Sequence, residues 1–192
     1  TSGGTLKYQL NGGDWTTEIP TAKDAGTYTV KYKVVGDDNY NDGIETTEKV
    51  TIAKADLSVT ESTYRGTYDG KSHEVGVSAS PSATITYKKS TDDKFTSAVP
   101  SFRDAGTYTV EYKVVKDNYN TVTGTLTVVI DKKTVKVSGI TANGKTYDGT
   151  TNATVNCDNA VFDGIIGNDK LTVTANGTFD SKDAGERTVT LD

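Results

Sequence analysis

Between residues 27 and 35, apolar and polar residues alternate without a break. Tyr28, Val30, Tyr32 and Val34 fall on one face, and Thr27, Thr29, Lys31 and Lys33 on the other. A period of two predicts a strand with one buried side. The same pattern returns at residues 107–115. A polar turn follows each block, at 36–43 and at 116–120. A second alternating stretch comes next, carrying Val50 and Ile52 in the first copy and Leu126, Val128 and Ile130 in the second, so each copy predicts a hairpin. Shorter strand candidates at 57–60, 74–78, 84–88 and 95–99 are separated by clusters of Gly, Pro, Ser and Asp. Six or seven short strands in one such stretch predict an all-β fold: tandem immunoglobulin-like antiparallel β-sandwich repeats, with β-grasp-like modules as the alternative.

The alternation belongs to a longer repeat. Asp24-Ala25-Gly26-Thr27-Tyr28-Thr29-Val30 recurs as Asp104-Ala105-Gly106-Thr107-Tyr108-Thr109-Val110, and identity runs on to Val35 and Val115 except at Lys31 and Glu111. Trp15 matches Phe95, Pro20 matches Pro100, and Asn39-Tyr40-Asn41 matches Asn118-Tyr119-Asn120. Tyr68-Asp69-Gly70 returns as Tyr147-Asp148-Gly149, and Asp183-Ala184-Gly185 repeats the first marker a third time. This phasing predicts three modules: 1–54, lacking its N-terminal part, 55–131, complete, and 132–192, lacking its C-terminal part. No Gly/Ser or Pro-rich spacer separates them, which predicts little hinge freedom and an end-to-end rod. The incomplete outer modules are expected to fray or to associate end to end.

Within the repeat, Asp104 to Val110 resembles the entry into the sixth strand of an immunoglobulin domain, where a tyrosine two residues before the inter-sheet position caps the preceding loop. Tyr28 and Tyr108 are the predicted structural tyrosine corners, and Val110 stands where antibody domains carry a disulfide cysteine. The third copy has Arg187 in place of the tyrosine, so its corner is expected to be built differently. Lys145-Thr146-Tyr147-Asp148-Gly149, followed by Gly177-Thr178-Phe179 and Lys182-Asp183-Ala184-Gly185, resembles the YDG repeat of large bacterial surface proteins. The middle module is similar to MBG-type and bacterial Ig-like repeats of adhesins. These resemblances imply an extracellular, tandemly repeated module without enzymatic activity; they imply no ligand.

Composition narrows the chemistry further. The 192 residues include 34 Thr, 20 Val and 11 Tyr against 6 Leu and no Met, which favours strands and turns over helices. A net charge of −5 argues against a nucleic-acid or anionic-membrane partner, and no apolar run is long enough to insert in a membrane. One Cys and one His leave little for metal, disulfide or triad chemistry, so no cofactor and no metal is expected. Asp37, Asn39, Asn41 and Glu48 have calcium-loop spacing, but Asp42 occupies the position that needs glycine, so a solvated turn is the expectation. Asp14, Asp37, Asp38, Asp92 and Asp93 sit in turns, where backbone capping explains them better than glycosidase chemistry. Cys157 is expected to be a small buried hydrophobe, and His73 a turn residue without partners.

Tyr40, Tyr119 and Trp15 are the candidate binding aromatics, with a ring folded back on the module end as the competing expectation for the two tyrosines. Taken together, the residues predict a non-catalytic stalk of a surface or secreted bacterial adhesin whose main partners are its own neighbouring repeats. Direct glycan or host-protein binding is the alternative.

Overall fold

The computed structural model describes residues 3–192, and among them there are strands, turns and bends but no helix. Contacts divide the chain into two units. The first comprises Thr1–Thr63, Val75–Pro100 and Thr109–Thr127; the second comprises Tyr64–Glu74, Ser101–Tyr108 and Val128–Asp192.

The chain opens with β1 (Thr5–Leu10), β2 (Gly26–Val35) and β3 (Thr46–Ile52). It continues with β4 (Ser58–Ser62), β5 (Tyr64–Thr67), β6 (His73–Glu74), β7 (Gly76–Ser80) and β8 (Thr84–Lys89). Next come β9 (Ser101–Phe102), β10 (Gly106–Val115) and β11 (Val122–Asp131). The rest carries β12 (Lys136–Ser138), β13 (Thr141–Ala142), β14 (Asn152–Ala153), β15 (Val155–Asn156), β16 (Val161–Asp163), β17 (Gly177–Phe179) and β18 (Val189–Leu191).

In the first unit, β1, β2 and β3 form an antiparallel meander, β4 pairs with β7, and β8 pairs with β10. In the second, β6 pairs with β9, and the C-terminal strands join as β12–β16, β13–β15 and β14–β17–β18. The β5–β11 pair is parallel, with Tyr64 opposite Val128 and Thr67 opposite Asp131, where an antiparallel sandwich was expected throughout. The stretch 95–99, expected as a strand, contributes one bridge, Thr96 to Tyr87; the strand forms just beyond it at β9.

Alternation decides which side chains are buried. Along β10, Val110, Tyr112 and Val114 are 0%, 3% and 0% exposed, while Lys113 and Val115 between and beyond them face solvent. Leu126, Val128 and Ile130 repeat the pattern on β11. Each such aliphatic side chain contributes roughly 1.5–3 kcal/mol by leaving water. The nearly identical β2 has the same alternation, yet its Val34 is 43% exposed. No apolar side chain of β1–β3 is buried among the described residues. The period of two fixes the strand, and burial requires a second layer over its apolar face.

Tyr112 donates a hydrogen bond to the Glu61 carboxylate across the first unit. Burial first, and this bond second, push the phenol up to about 12 from an ordinary 10.0. A raised tyrosine value stabilises the fold fully below pH 10, where the unfolded tyrosine is still neutral. That contribution is lost as pH rises from 10 through about 12. We expect unfolding free energy to fall by about 2–3 kcal/mol across this window, because each tenfold difference in proton affinity between the folded and unfolded phenol is worth about 1.36 kcal/mol. In Tyr112→Phe the decline should flatten; an unchanged slope in denaturant titrations would refute the assignment.

Candidate functional site

The recurring Asp-Ala-Gly blocks form three corners with one shared bond. Tyr28 Oη donates to the Asp24 carbonyl at 2.7 Å, and Tyr108 Oη to the Asp104 carbonyl at 2.9 Å. At the third corner Arg187 Nε donates to the Asp183 carbonyl at 2.9 Å. The corner lacking tyrosine therefore keeps the same four-residue bond with a different donor, where a different construction was expected. Phe102 stacks on Tyr108 with centroids 4.2 Å apart, and a Cβ on Gly106 would lie 3.1 Å from the Tyr108 ring, which is why glycine precedes this tyrosine by two. Tyr108→Phe keeps the stack and loses the hydroxyl, so stability should drop by about 1 kcal/mol in chemical denaturation. A loss indistinguishable from zero would show that the corner bond contributes nothing.

The Tyr-Asp-Gly turns are also built alike. The Asp69 carboxylate accepts the Lys71 N–H at 2.9 Å, and the Asp148 carboxylate accepts the Thr150 N–H at 2.9 Å. Gly70 and Gly149 follow at φ +76° and +74°, a left-handed backbone that favours glycine. Asp and Gly are thus required by the turn itself.

The surroundings of the two turns differ. Asp69 also faces His73 Nε2 at 2.9 Å, and His73 stacks on Tyr64 at 3.8 Å, so the single histidine has partners where none was expected. The His73 bond, then the Lys71 N–H, hold the Asp69 carboxyl below its ordinary range. Asp148 is lowered to about 2, first by Lys145 and then by Thr150. The Asp148 turn should therefore persist as pH falls below 3.8 and loosen through about 2, which a carboxyl-detected NMR titration would read. A midpoint near 3.8 would contradict the Lys145 contact.

What covers each corner distinguishes them most. At the first, the Asn118 side chain lies on the backbone: its Oδ1 accepts the Ala25 N–H at 2.7 Å, and its Nδ2 donates to Asp24 Oδ1 at 2.9 Å. Asn118 adopts φ +67°, and its carbonyl accepts the Ala55 N–H at 2.9 Å, while Asn120 donates from its backbone to Ala55 and from its side chain to Asp56.

At the first Tyr-Asp-Gly turn, which lines a cavity together with the second corner, the segment after β16 closes in. Tyr68 Oη donates to Asp169 Oδ2 at 2.8 Å, which raises the phenol pKa, and Arg103 donates to the Gly70 carbonyl at 2.9 Å. A Cβ on Gly70 would lie 2.6 Å from Ile166 Cγ2. Between them is a cavity of about 320 Å³ lined by Tyr68, Asp104, Ala105, Ile165, Ile166 and Leu171. The third corner is uncovered: residues 182–186 are exposed, Tyr147 is 63% exposed, and nothing lies within 4 Å of a Cβ built on Gly149. An open depression of about 480 Å³ lies here, bounded by Lys145, Tyr147, Phe179, Asp183 and Arg187.

The candidate aromatics separate by exposure. Tyr40 is 69% exposed rather than folded back, whereas Tyr119 and Trp15 are half-buried. Lys33 Nζ sits 5.3 Å from the Trp15 ring centroid. The Asp37 carboxylate accepts the N–H groups of Asn39 and Tyr40, and Glu48 lies on β3 opposite Val30, so the calcium-like spacing resolves into a turn and a strand. Cys157 is half-buried and free. Among the described residues no three His, Cys, Asp or Glu side chains gather as a metal site would require. Sequence reading missed Arg103, Ile166 and Asp169, since nothing in the repeat marks them. The Asn118 contact had a signal in the recurrence of Asn-Tyr-Asn.

No curated protein matches the chain. Residues 131–192, which carry the second Tyr-Asp-Gly turn and the uncovered corner, match the YDG domain family.

Proposed function

We propose that this chain is a non-catalytic repeat segment of a bacterial surface or secreted adhesin, a stalk that holds a distal binding domain away from the cell. Its modules are 1–54, Ig-like, 55–131, Ig-like and similar to MBG-type repeats, and 132–192, of YDG type. One observation carries the reading: β5 and β11, near the two ends of the middle period, run parallel and side by side. Tension applied through residues 64 and 131 pulls them in opposite directions along their length. Their hydrogen bonds are then loaded in shear and must break together rather than one by one. The shifted carboxylates Asp42, Asp69 and Asp148 all serve turns, which fits a protein whose polar groups hold backbone rather than substrate.

Single-molecule pulling on the full chain tethered at its termini tests this. A distinct force peak for the middle module is expected, reduced by Val128→Pro in β11; extension without any peak would refute a load-bearing role. The second reading, direct binding of a glycan or host protein, is favoured by the exposed Tyr40 alone. A glycan array on the full chain and its Tyr40→Ala variant would decide it: no captured sugar removes the glycan form of that reading.

A further inference from the structure

We propose that the 117–120 turn is a two-position latch within the first unit. Seated on the Asp24-Ala25 corner through Asn118, it fixes the β1–β3 sheet to the strands that follow; released, it leaves a hinge at residues 53 and 54.

The same four residues, Asp-Asn-Tyr-Asn, occur at 38–41 and at 117–120, and they take two conformations. Both turns close alike, the Tyr40 N–H donating to the Asp37 carbonyl and the Tyr119 N–H to the Lys116 carbonyl, each at 3.2 Å. Asn118 lies in the left-handed region at φ +67°, and Asn39 does not. With the four residues identical, the surroundings select the conformation. At 38–41 the preceding Asp37 carboxylate accepts the N–H groups of Asn39 and Tyr40 at 2.9 and 3.1 Å, which holds the unseated form. At 117–120 that place belongs to Lys116, whose side chain accepts nothing and donates to the Ser82 carbonyl at 2.9 Å. The unseated form there lacks its cap, which leaves Asn118 free to turn onto the corner.

The corner is set before Asn118 arrives, because Tyr28 Oη already holds the Asp24 carbonyl at 2.7 Å. Asn118 Oδ1 then accepts the Ala25 N–H and Nδ2 donates to Asp24 Oδ1. The same turn clasps Ala55 from both sides: the Ala55 N–H donates to the Asn118 carbonyl at 2.9 Å, and its carbonyl accepts the Asn120 N–H at 2.8 Å. Between Ile52 at the end of β3 and this clasp only residues 53 and 54 remain. No apolar side chain of β1–β3 is buried among the described residues, so no apolar core welds the sheet in place. On so short a tether the bonds form at high effective concentration, and two can hold the joint. One neutral bond and one bond to a carboxylate favour the seated joint by about 100-fold. Such a latch works whether or not the chain bears load.

Residual dipolar couplings measured on the full chain test this. One alignment tensor should fit the amides of β1–β3 together with those of β4, β7 and β8. Asn118→Ala removes both bonds and should lower the seated-to-released ratio about 100-fold, so that two tensors are needed. Asn118→Gly should do the same, since glycine enters the left-handed region freely but brings no side chain. Asp24→Ala removes one bond from the opposite side and should weaken seating about 10-fold. Lys116→Asp supplies the cap seen at Asp37 and should release the joint, whereas Lys116→Ala, which loses only the Ser82 bond, should not. A wild-type chain that already needs two tensors, an Asn118→Gly chain fitted by one, or Lys116→Asp indistinguishable from Lys116→Ala would each overturn the proposal.

Discussion

Gly124→Ala should destabilise the first unit by about 3 kcal/mol, combining overpacking with loss of a buried hydrogen bond to a charged group. A Cβ at this position would lie 2.5 Å from both Cε1 and Oη of Tyr112. Tyr112 cannot yield cheaply, because it is 3% exposed and its hydroxyl is held by Glu61. The added methyl must therefore push β11 away or break the Tyr112–Glu61 bond. Denaturant unfolding followed by tyrosine fluorescence reads the loss directly. The same variant should also lose the alkaline sensitivity assigned to Tyr112, since the two effects share one ring. A loss under about 0.5 kcal/mol, the range of ordinary surface substitutions, would mean that the ring is not held as described.

The second large effect contrasts two glycines that share a backbone and differ in surroundings. Gly70→Ala places a methyl 2.6 Å from Ile166 Cγ2 at φ +76°. The left-handed backbone costs about 1–2 kcal/mol for a residue with a Cβ, and crowding against the Ile166 side chain adds about 1–3 kcal/mol. Gly149→Ala carries the same backbone cost at φ +74° and meets nothing within 4 Å. Unfolding titrations should therefore separate the pair by the crowding cost alone. Hydrogen exchange should locate the difference at the Asp169 amide, which donates to the Ile166 carbonyl at 3.1 Å. Equal losses from the two substitutions would show that the segment after β16 does not press on the Tyr68-Asp69-Gly70 turn.

Much of the local structure was legible in the residues. β2, β3, β10 and β11 follow from period-two alternation, and the turn roles of Asp69, Gly70, Asp148 and Gly149 follow from what a left-handed turn requires. The parallel β5–β11 pair was not legible. Tyr64–Thr67 is too short to carry a periodic signal, and its partner lies more than sixty residues away. Burial was not legible either: β2 and β10 differ at one position along their length, yet Val110 and Val114 are enclosed while Val34 is not. A strand's pattern states which face wants cover, and only the tertiary structure states whether cover arrives. His73 shows the same limit, because its partners Asp69 and Tyr64 came together through a turn that the sequence marked and a strand that it did not. At Arg187 the sequence recorded the loss of tyrosine, but whether another donor could span the same four residues depended on geometry.

One Asp-Ala-Gly corner is held within this chain by Asn118, and the segment around Ile166 presses on the Tyr68-Asp69-Gly70 turn. Nuclear Overhauser spectroscopy on the full chain tests this most directly. We predict cross-peaks from the Asn118 side-chain amide to the Ala25 backbone N–H, and from the Ile166 methyl groups to the Gly70 α protons. A spectrum that retains the β2–β3 and β10–β11 strand contacts but lacks both of these cross-peaks would contradict it.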